Sequence, residues 1–589
     1  MEQWINISII AIYMIVVIGV GFFFTKKNET TENYLLGGRN MPYLAVGLSM
    51  MMTLLSSISI VMIPGEIFNH SMTIFSLNVI TIAMGIPYYF LFVRFYFKLG
   101  SFTPYEYLER RYDHTVRAVI AVSAFYSRVM YLGMVLYASS KIFQAAYGWP
   151  CRFTILLVGI IGIIYTVMGG MKAVIWTDVI QFFVLAAGTI FILCVLNNSL
   201  DGGIIGGVIY AFKHGHGLPQ YSTSEFYTIT PYIRLCFWLM LWNALFSSMG
   251  AVSSDQLNVQ RILTTKDWKT GLKSQCISSG LGIVNTIVLC MIGFAIYAYY
   301  AQNPDPTLAG DGDMAFFHFI ATKTPTPIPG IFMAAMLAAI MSTLDSGMNS
   351  MSTVWLKEIH VKFINKKMTP EKEVSVSRWA TFLIGAFAIL LGLGLDFSGR
   401  WLSQSVTEVG TIFNMLGAAT APAFLFAVLS KRANSLLIWA YTFFAAGEAI
   451  GKNIWYALSR TAVQNWEKNP EIGFGWGGKL DVVYVLFPVI AGALLCLPYL
   501  SKKFRPYLSV KIAAMIGMLI LGIGFTNMLW WAYSNMCVTT EPLACSFAFG
   551  LPCSLIIAFV ILWFCPVQPE NKWRGLTIAT VGQKTIPGN

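Results

Sequence analysis

Residues 328–356 read IPGIFMAAMLAAIMSTLDSGMNSMSTVWL. The stretch is long enough for a helix rising 1.5 Å per residue to cross about 30 Å of hydrocarbon. Its middle, Met341-Ser342-Thr343-Leu344-Asp345-Ser346-Gly347-Met348-Asn349-Ser350, nevertheless holds a dense run of hydroxyls and one carboxylate between Ala-rich flanks. A carboxylate inside a membrane helix is costly and marks an ion or proton path. Ser342, Thr343, Ser346 and Asn349 fall at spacings of one, three and four, so several share a helix face. Oxygen ligands gathered in this way suit a hard monovalent cation.

The rest of the chain repeats the length of this stretch. About 15 apolar runs of membrane-crossing length follow one another through the 589 residues. With 56% hydrophobic and 11% charged residues, the chain cannot cover a soluble surface. The expected fold class is an all-α membrane protein. The first run lacks a basic leader and a small-residue cleavage site and is followed by Lys26 and Lys27, so it is expected to be a retained helix. Lys and Arg collect on alternate loops: Lys26, Lys27 and Arg39; Arg110 and Arg111; Arg261, Lys266, Lys269 and Lys273; and Lys357 to Lys372. By the positive-inside rule these loops face the cytoplasm, which puts the N-terminus outside and the C-terminal tail inside a cell membrane. The net charge of +12 sits beside these predicted inner faces, where anionic lipid, and not nucleic acid, is the partner. Cys537 and Cys545 flank an outer loop, as a pair or as two thiols, and none of the ten Cys forms a CxxC pair. His214 and His216 read as loop residues, since two His without a third ligand do not make a metal site.

Two runs contain helix-weakening clusters at membrane depth: Leu54-Leu55-Ser56-Ser57 in 42–63 and Leu245-Phe246-Ser247-Ser248 with Gly250 in 233–253. Five runs apart, they suggest an inverted repeat whose broken helices free backbone groups for ions and substrate. The alternative is that each Ser bonds its own helix and packs against a neighbour. The division that follows is an N-terminal helix and first inner loop at 1–41, a first repeat at 42–196 and an outer segment at 197–232. A second repeat at 233–429, further helices at 430–565 and a cytoplasmic tail at 566–589 complete it.

Two further charges stand within spans. Asp178 reads either as part of an ion path or as a helix-end cap. Arg128, near the centre of the run 117–139, costs several kcal/mol unless paired or watered. It is suited to a bidentate grip on a solute carboxylate, or to an internal salt bridge with a carboxylate such as Asp178 or Asp345.

Several motifs together resemble the sodium/solute symporter family: Leu36-Gly37-Gly38-Arg39-Asn40, Gly169-Gly170-Met171-Lys172 leading to Trp176-Thr177-Asp178, Asp255-Gln256-Leu257-Asn258-Val259-Gln260-Arg261, Lys431-Arg432-Ala433-Asn434, and the Ser-Thr-Leu-Asp-Ser run itself. The resemblance covers about residues 1–510 and, from Ser56 through Glu66 to Glu109, is nearer to the iodide, multivitamin and monocarboxylate branch than to the sugar branch. It implies a LeuT-like core of two inverted five-helix repeats, with one helix before it and about four after. It implies a main sodium site from the carbonyls of Met52, Leu55 and Ala339 and the hydroxyls of Ser342 and Thr343. A second position at Asp178, Asp345 and Ser346 would take sodium or a proton, Asp345 standing where Ser or Thr is usual. The solute pocket would be lined by Ser56, Ser59, Asn78, Tyr131, Asn243, Phe413 and Asn414, with Arg128 one turn from Tyr131. Sialic-acid members use an Arg at the place that Tyr131 takes here.

The expectation is a monomeric symporter, not an enzyme, with sodium as its metal, no cofactor, and a small polar or anionic solute such as a monocarboxylate or sialate. The alternatives are a proton-coupled or sodium-coupled transporter of a neutral sugar, amino acid or vitamin and, in another class, a membrane-integral enzyme. Each sodium crossing 100 mV contributes about 2.3 kcal/mol, roughly 50-fold accumulation of a neutral solute.

Overall fold

The protein is represented by a computed structural model. It describes residues 2–25, 30–55, 57–100, 102–217, 223–227, 237–308, 312–398, 420–448, 450–451, 488–496, 508–536, 558–559, 562–563 and 565–580. Among the described residues there are helices and no strands. Seven helices are long and apolar enough to cross a membrane: Trp4–Thr25, Phe75–Leu99, His114–Gln144, Cys151–Ser199, Trp268–Gln302, Ile328–Ile364 and Pro370–Phe397. The chain is therefore a multi-pass membrane protein. Several of the other runs, 407–429 and 543–564 among them, lie wholly or partly outside the described residues.

The contacts divide the chain into two units. The first comprises Met1–Pro104, Arg128–Thr223 and Asp255–Val406. Its axis is the helix Ile328–Val354, in which every residue from Phe332 to Val354 is buried. It is surrounded by Glu2–Thr25, Tyr43–Leu54, Cys151–Ser199 and Pro370–Ser398. Small side chains permit this approach. A Cβ on Gly347 would stand 2.3 Å from Leu132 Cδ2, and one on Gly188 would stand 3.2 Å from Ala335 Cβ.

The two apolar runs 153–169 and 173–196 form one 49-residue helical stretch divided at Gly170. There φ is 56° and ψ −158°, a conformation open to glycine. A Cβ at Gly170 would also lie 2.7 Å from the Tyr34 ring.

The first of the two expected breaks is present. Tyr43–Leu54 stops at Leu55, whose backbone is extended (φ −88°, ψ 101°) and whose amide donates to the Met51 carbonyl. The helix resumes as Ser57–His70. The second is not where the sequence suggests. Phe237–Ser253 runs without interruption through Leu245–Gly250. Within its last turns Ser253 and Ser254 donate their hydroxyls to the carbonyls of Met249 and Gly250, the four-residue back-bonding that keeps a membrane helix satisfied. The interruption falls at Asp255, whose extended backbone and side chain cap a short helix, Gln256–Ile262, by accepting the Leu257 amide at 3.1 Å.

The second unit comprises Tyr105–Ser127, Ser224–Ser254 and Thr407–Asn589. In it, Arg111 is 1% exposed and donates to the carbonyls of Ala427, Ser430 and Ala433, satisfying the end of the helix Thr420–Leu429. The tail is also ordered here over 565–580. The Tyr107 hydroxyl donates to the Leu576 carbonyl at 2.7 Å, and the Lys572 amine to the Tyr112 carbonyl at 2.6 Å.

Candidate functional site

At the point where the broken helix meets the buried helix Ile328–Val354, the structure assembles a dry polar cluster. Asp178 and Asp345 are both 0% exposed, as is Arg261. Asp178 Oδ1 accepts from Ser342 Oγ at 2.5 Å. Its Oδ2 accepts from Ser49 Oγ at 2.5 Å and from the Arg261 guanidinium at 3.2 Å. Arg261 also donates through Nε to Ser49 Oγ at 2.8 Å, to the Leu257 carbonyl at 3.2 Å, and to Ser346 Oγ. Asp345 accepts from Tyr165 OH at 2.7 Å, from Ser346 Oγ at 3.0 Å and, at longer range, from Thr177 Oγ1 at 3.5 Å.

Asp178 is therefore neither a helix-end cap nor a lone carboxylate. It stands eight residues inside the helical stretch that follows Gly170 and ties three other helices to its own. Arg261 is displaced from the loop that its charge suggests. The sequence reading grouped it with Lys266, Lys269 and Lys273, whereas its short helix is wholly buried.

The residues expected to hold the main sodium lie at this junction. Met52 and Leu55 are buried at the end of the first half-helix. Between them in sequence, Thr53 Oγ1 lies 3.2 Å from Ser346 Oγ on the opposing helix. Ala339 and Thr343 are one turn apart, the Thr343 hydroxyl donating to the Ala339 carbonyl at 3.1 Å. Two to three turns further along, Gln260 Nε2 donates to the Leu35 carbonyl (2.7 Å), Thr353 Oγ1 (2.9 Å) and Asn349 Oδ1 (3.0 Å). The donor set is hydroxyl, carbonyl and carboxylate oxygen, the chemistry of a hard cation. As described, the cluster holds two carboxylates against one guanidinium.

The solute candidates are spread more widely. Ser59 and Asn78 are half-buried on Ser57–His70 and Thr73–Leu99. Ser56, the Asn243 side chain, Phe413 and Asn414 lie outside the described residues, as do Cys537 and Cys545. Arg128 forms an internal salt bridge, but with neither Asp178 nor Asp345. Its guanidinium donates to Asp255 Oδ2 at 2.6 Å and lies 5.5 Å from the centre of the Tyr131 ring. His216 stacks on Tyr297 with ring centres 3.8 Å apart, and among the described residues no group of three His, Cys, Asp or Glu is placed to hold a metal ion.

Sequence reasoning missed Ser49, Thr53, Tyr165, Gln260 and Arg261 as members of the cluster. A signal for the last two was present. Asp255 to Arg261 carries five polar side chains in seven residues, too many for a span.

A helical membrane protein whose second hydrophobic segment breaks against a helix carrying buried carboxylates and hydroxyls is a secondary transporter of the broken-helix class. Residues 34–436 match the family model described as the sodium:solute symporter family. The chain belongs to that family. It is 27% identical over 435 residues to the sodium/sialic acid symporter SiaT of Proteus mirabilis, covering 73% of this chain and 86% of that one. It is 26% identical to the sodium/sialic acid symporter NanT of Aliivibrio fischeri, covering 72% and 82%. To the sodium-dependent multivitamin transporter of Oryctolagus cuniculus it is 28% identical, covering 69% and 63%. Among solved structures, a Na+-coupled sialic acid symporter in a substrate-bound outward-open state superposes with a TM-score of 0.67 at 22% identity, covering 89% of this chain and 98% of that one. The fold is the LeuT-like one of inverted five-helix repeats.

Proposed function

We propose that the protein imports a small organic anion, a monocarboxylate or a sugar acid such as sialate, together with sodium, by alternating access across a cell membrane. The observation that carries this reading is the buried cluster, with one carboxylate more than its guanidinium neutralises and several hydroxyls beside it. An uncompensated buried charge is expensive, so such a site is stabilised by a cation. In this reading the main sodium lies among Met52, Leu55, Ala339, Ser342 and Thr343, pressing the broken helix against Ile328–Val354. Asp178, Asp345 and Ser346 form the second position, for sodium or a proton. Arg261 already neutralises Asp178, so the carboxylate that needs a mobile cation there is Asp345. The sodium:solute relatives that carry sialic acid in their names support the choice of solute, and Ser59, Asn78, Arg128 and Tyr131 are the residues assigned to it among the described side chains.

Sodium binding that completes the solute pocket makes the two bindings mutually favourable. For a monovalent anion, one sodium makes the cycle electroneutral and a second lets it draw on the membrane voltage. The protein acts as a monomer and not as an enzyme, with its N-terminus outside and its tail in the cytoplasm.

The reading is tested with the purified full-length chain in proteoliposomes, following radiolabelled sialic acid and lactate under an inward sodium gradient. Accumulation of either anion that disappears when choline replaces sodium is the expected result. Uptake indifferent to sodium, or of neither anion, would overturn it.

A further inference from the structure

The solute candidate Arg128 and the cation-cluster residue Arg261 are connected by one small element. Asp255 opens the helix Gln256–Ile262 and Arg261 lies near its other end. Asp255 divides its carboxylate, Oδ2 taking Arg128 at 2.6 Å and Oδ1 holding the Leu257 amide at 3.1 Å. Further along, Gln256 donates to the Phe102 carbonyl, Gln260 grips Asn349 and Thr353, and Arg261 binds Asp178, Ser49 and Ser346. A helix of seven residues has no stability of its own. It is buried along its whole length and tied by these contacts at both ends.

The pair at its start is built for exchange. Arg128 and Asp255 are 25% and 20% exposed, so neither is sealed off as Arg261 and Asp178 are. Asp255 offers the guanidinium one oxygen, whereas a solute carboxylate is able to offer two in parallel, the stronger bidentate arrangement. Once displaced, Asp255 keeps its cap on Leu257 but loses its counter-charge. One added negative charge beside this helix then favours a cation in the cluster that the helix helps to hold.

We propose that Asp255 is a built-in stand-in for the solute's carboxylate on Arg128, displaced when the anion binds, and that the helix Gln256–Ile262 carries this exchange to the Arg261–Asp178 pair. Solute and sodium are thereby coupled. The inference rests on the anionic-solute reading given above, and deepens it by naming the residue that competes with the solute and the element that connects the two sites.

The test compares sodium-driven sialic acid uptake by the wild type, Asp255→Asn and Arg128→Gln/Asp255→Asn in proteoliposomes, with melting temperatures as the check on folding. Asn retains the cap and the shape while removing the competing charge. Asp255→Asn is expected to lower the apparent KM for sialic acid by about tenfold. It should also abolish most of the dependence of half-saturating sodium on sialic acid concentration. The double variant, which removes both charges of the pair together, is expected to melt near the wild type and to raise KM at least about tenfold above Asp255→Asn. An unchanged or higher KM in Asp255→Asn, or equal KM in the two variants, would overturn the inference. If the wild type takes up sialic acid and either of these results appears, the inference alone fails. If the wild type takes up neither sialic acid nor lactate with sodium, the proposed function fails and the inference with it.

Discussion

The first unit contains two Arg–Asp pairs of the same chemistry and opposite surroundings. Arg261–Asp178 is 0% exposed on both sides and is enclosed by Ser49, Ser342 and Ser346 from two other helices. Arg128–Asp255 is 25% and 20% exposed, its carboxylate shared with a helix cap. Charge within a membrane protein therefore has two uses here. A sealed pair whose remaining donors and acceptors are satisfied holds helices in register, while a partly exposed pair with a divided carboxylate is, in the function proposed, the one open to a ligand. The cost of breaking each pair should differ accordingly, and that difference is measurable.

The largest effect is expected at the sealed pair. Asp178→Asn breaks this buried, hydrogen-bonded pair, which costs about 3–5 kcal/mol. Asp178→Asn/Arg261→Gln should recover much of that loss. Thermal unfolding of the two variants in detergent checks both statements, and equal destabilisation by the single and double variants would show that the pair is not an isolated charge-balancing unit.

At the partly exposed pair the order of effects reverses. Arg128→Gln should cost less stability than Asp178→Asn, because its pair is partly exposed where the other is sealed, while sialic acid uptake falls by at least about tenfold. Melting and uptake measured on the same preparation separate the two. A large melting change with normal uptake would make the partly exposed pair structural after all.

How far the sequence revealed these sites depended on the kind of signal each carried. Hydropathy length exposed the spans, and the polar centre at Ser342–Ser350 was legible because a carboxylate in an Ala-rich run has no bland explanation. The break at Leu55 was legible from small and polar residues at membrane depth. The same composition misled at Leu245–Gly250, where the helix continues unbroken to Ser253, because Ser in a helix can satisfy itself on the carbonyl four residues back. What ends that helix is Asp255 capping the next one, a local hydrogen bond that carries no hydropathy signature. Arg261 was assigned to a loop by counting positive charge, a method blind to a counter-ion 83 residues away in sequence. The partner of Arg128 was hidden for the same reason, since pairing between distant spans is a property of packing.

A smaller effect is expected at a carboxylate outside the spans. Burial alone would raise Asp113, but hydrogen bonds from the Ser435 and Thr115 hydroxyls and from the amides of Val116 and Thr115 prevail and hold it below the usual carboxylate range. A depressed folded-state value contributes stability that is present above the unfolded value near 4 and is lost as pH falls through the folded one. Melting temperature should therefore fall more steeply below about pH 4 in the wild type than in Asp113→Asn. Parallel pH profiles would remove Asp113 from the account and leave the two Arg–Asp pairs as its electrostatic content.

The central claim is that sodium binds where the broken helix meets Ser342. It is tested most directly by melting the purified protein in sodium against potassium at equal ionic strength, for the wild type and Ser342→Ala. Saturating sodium, at about 100 times its dissociation constant, should add roughly 2.7 kcal/mol to the wild type, and this sodium-specific rise should be absent in Ser342→Ala. Equal melting in sodium and potassium, or a sodium-specific rise that survives Ser342→Ala, would contradict the claim.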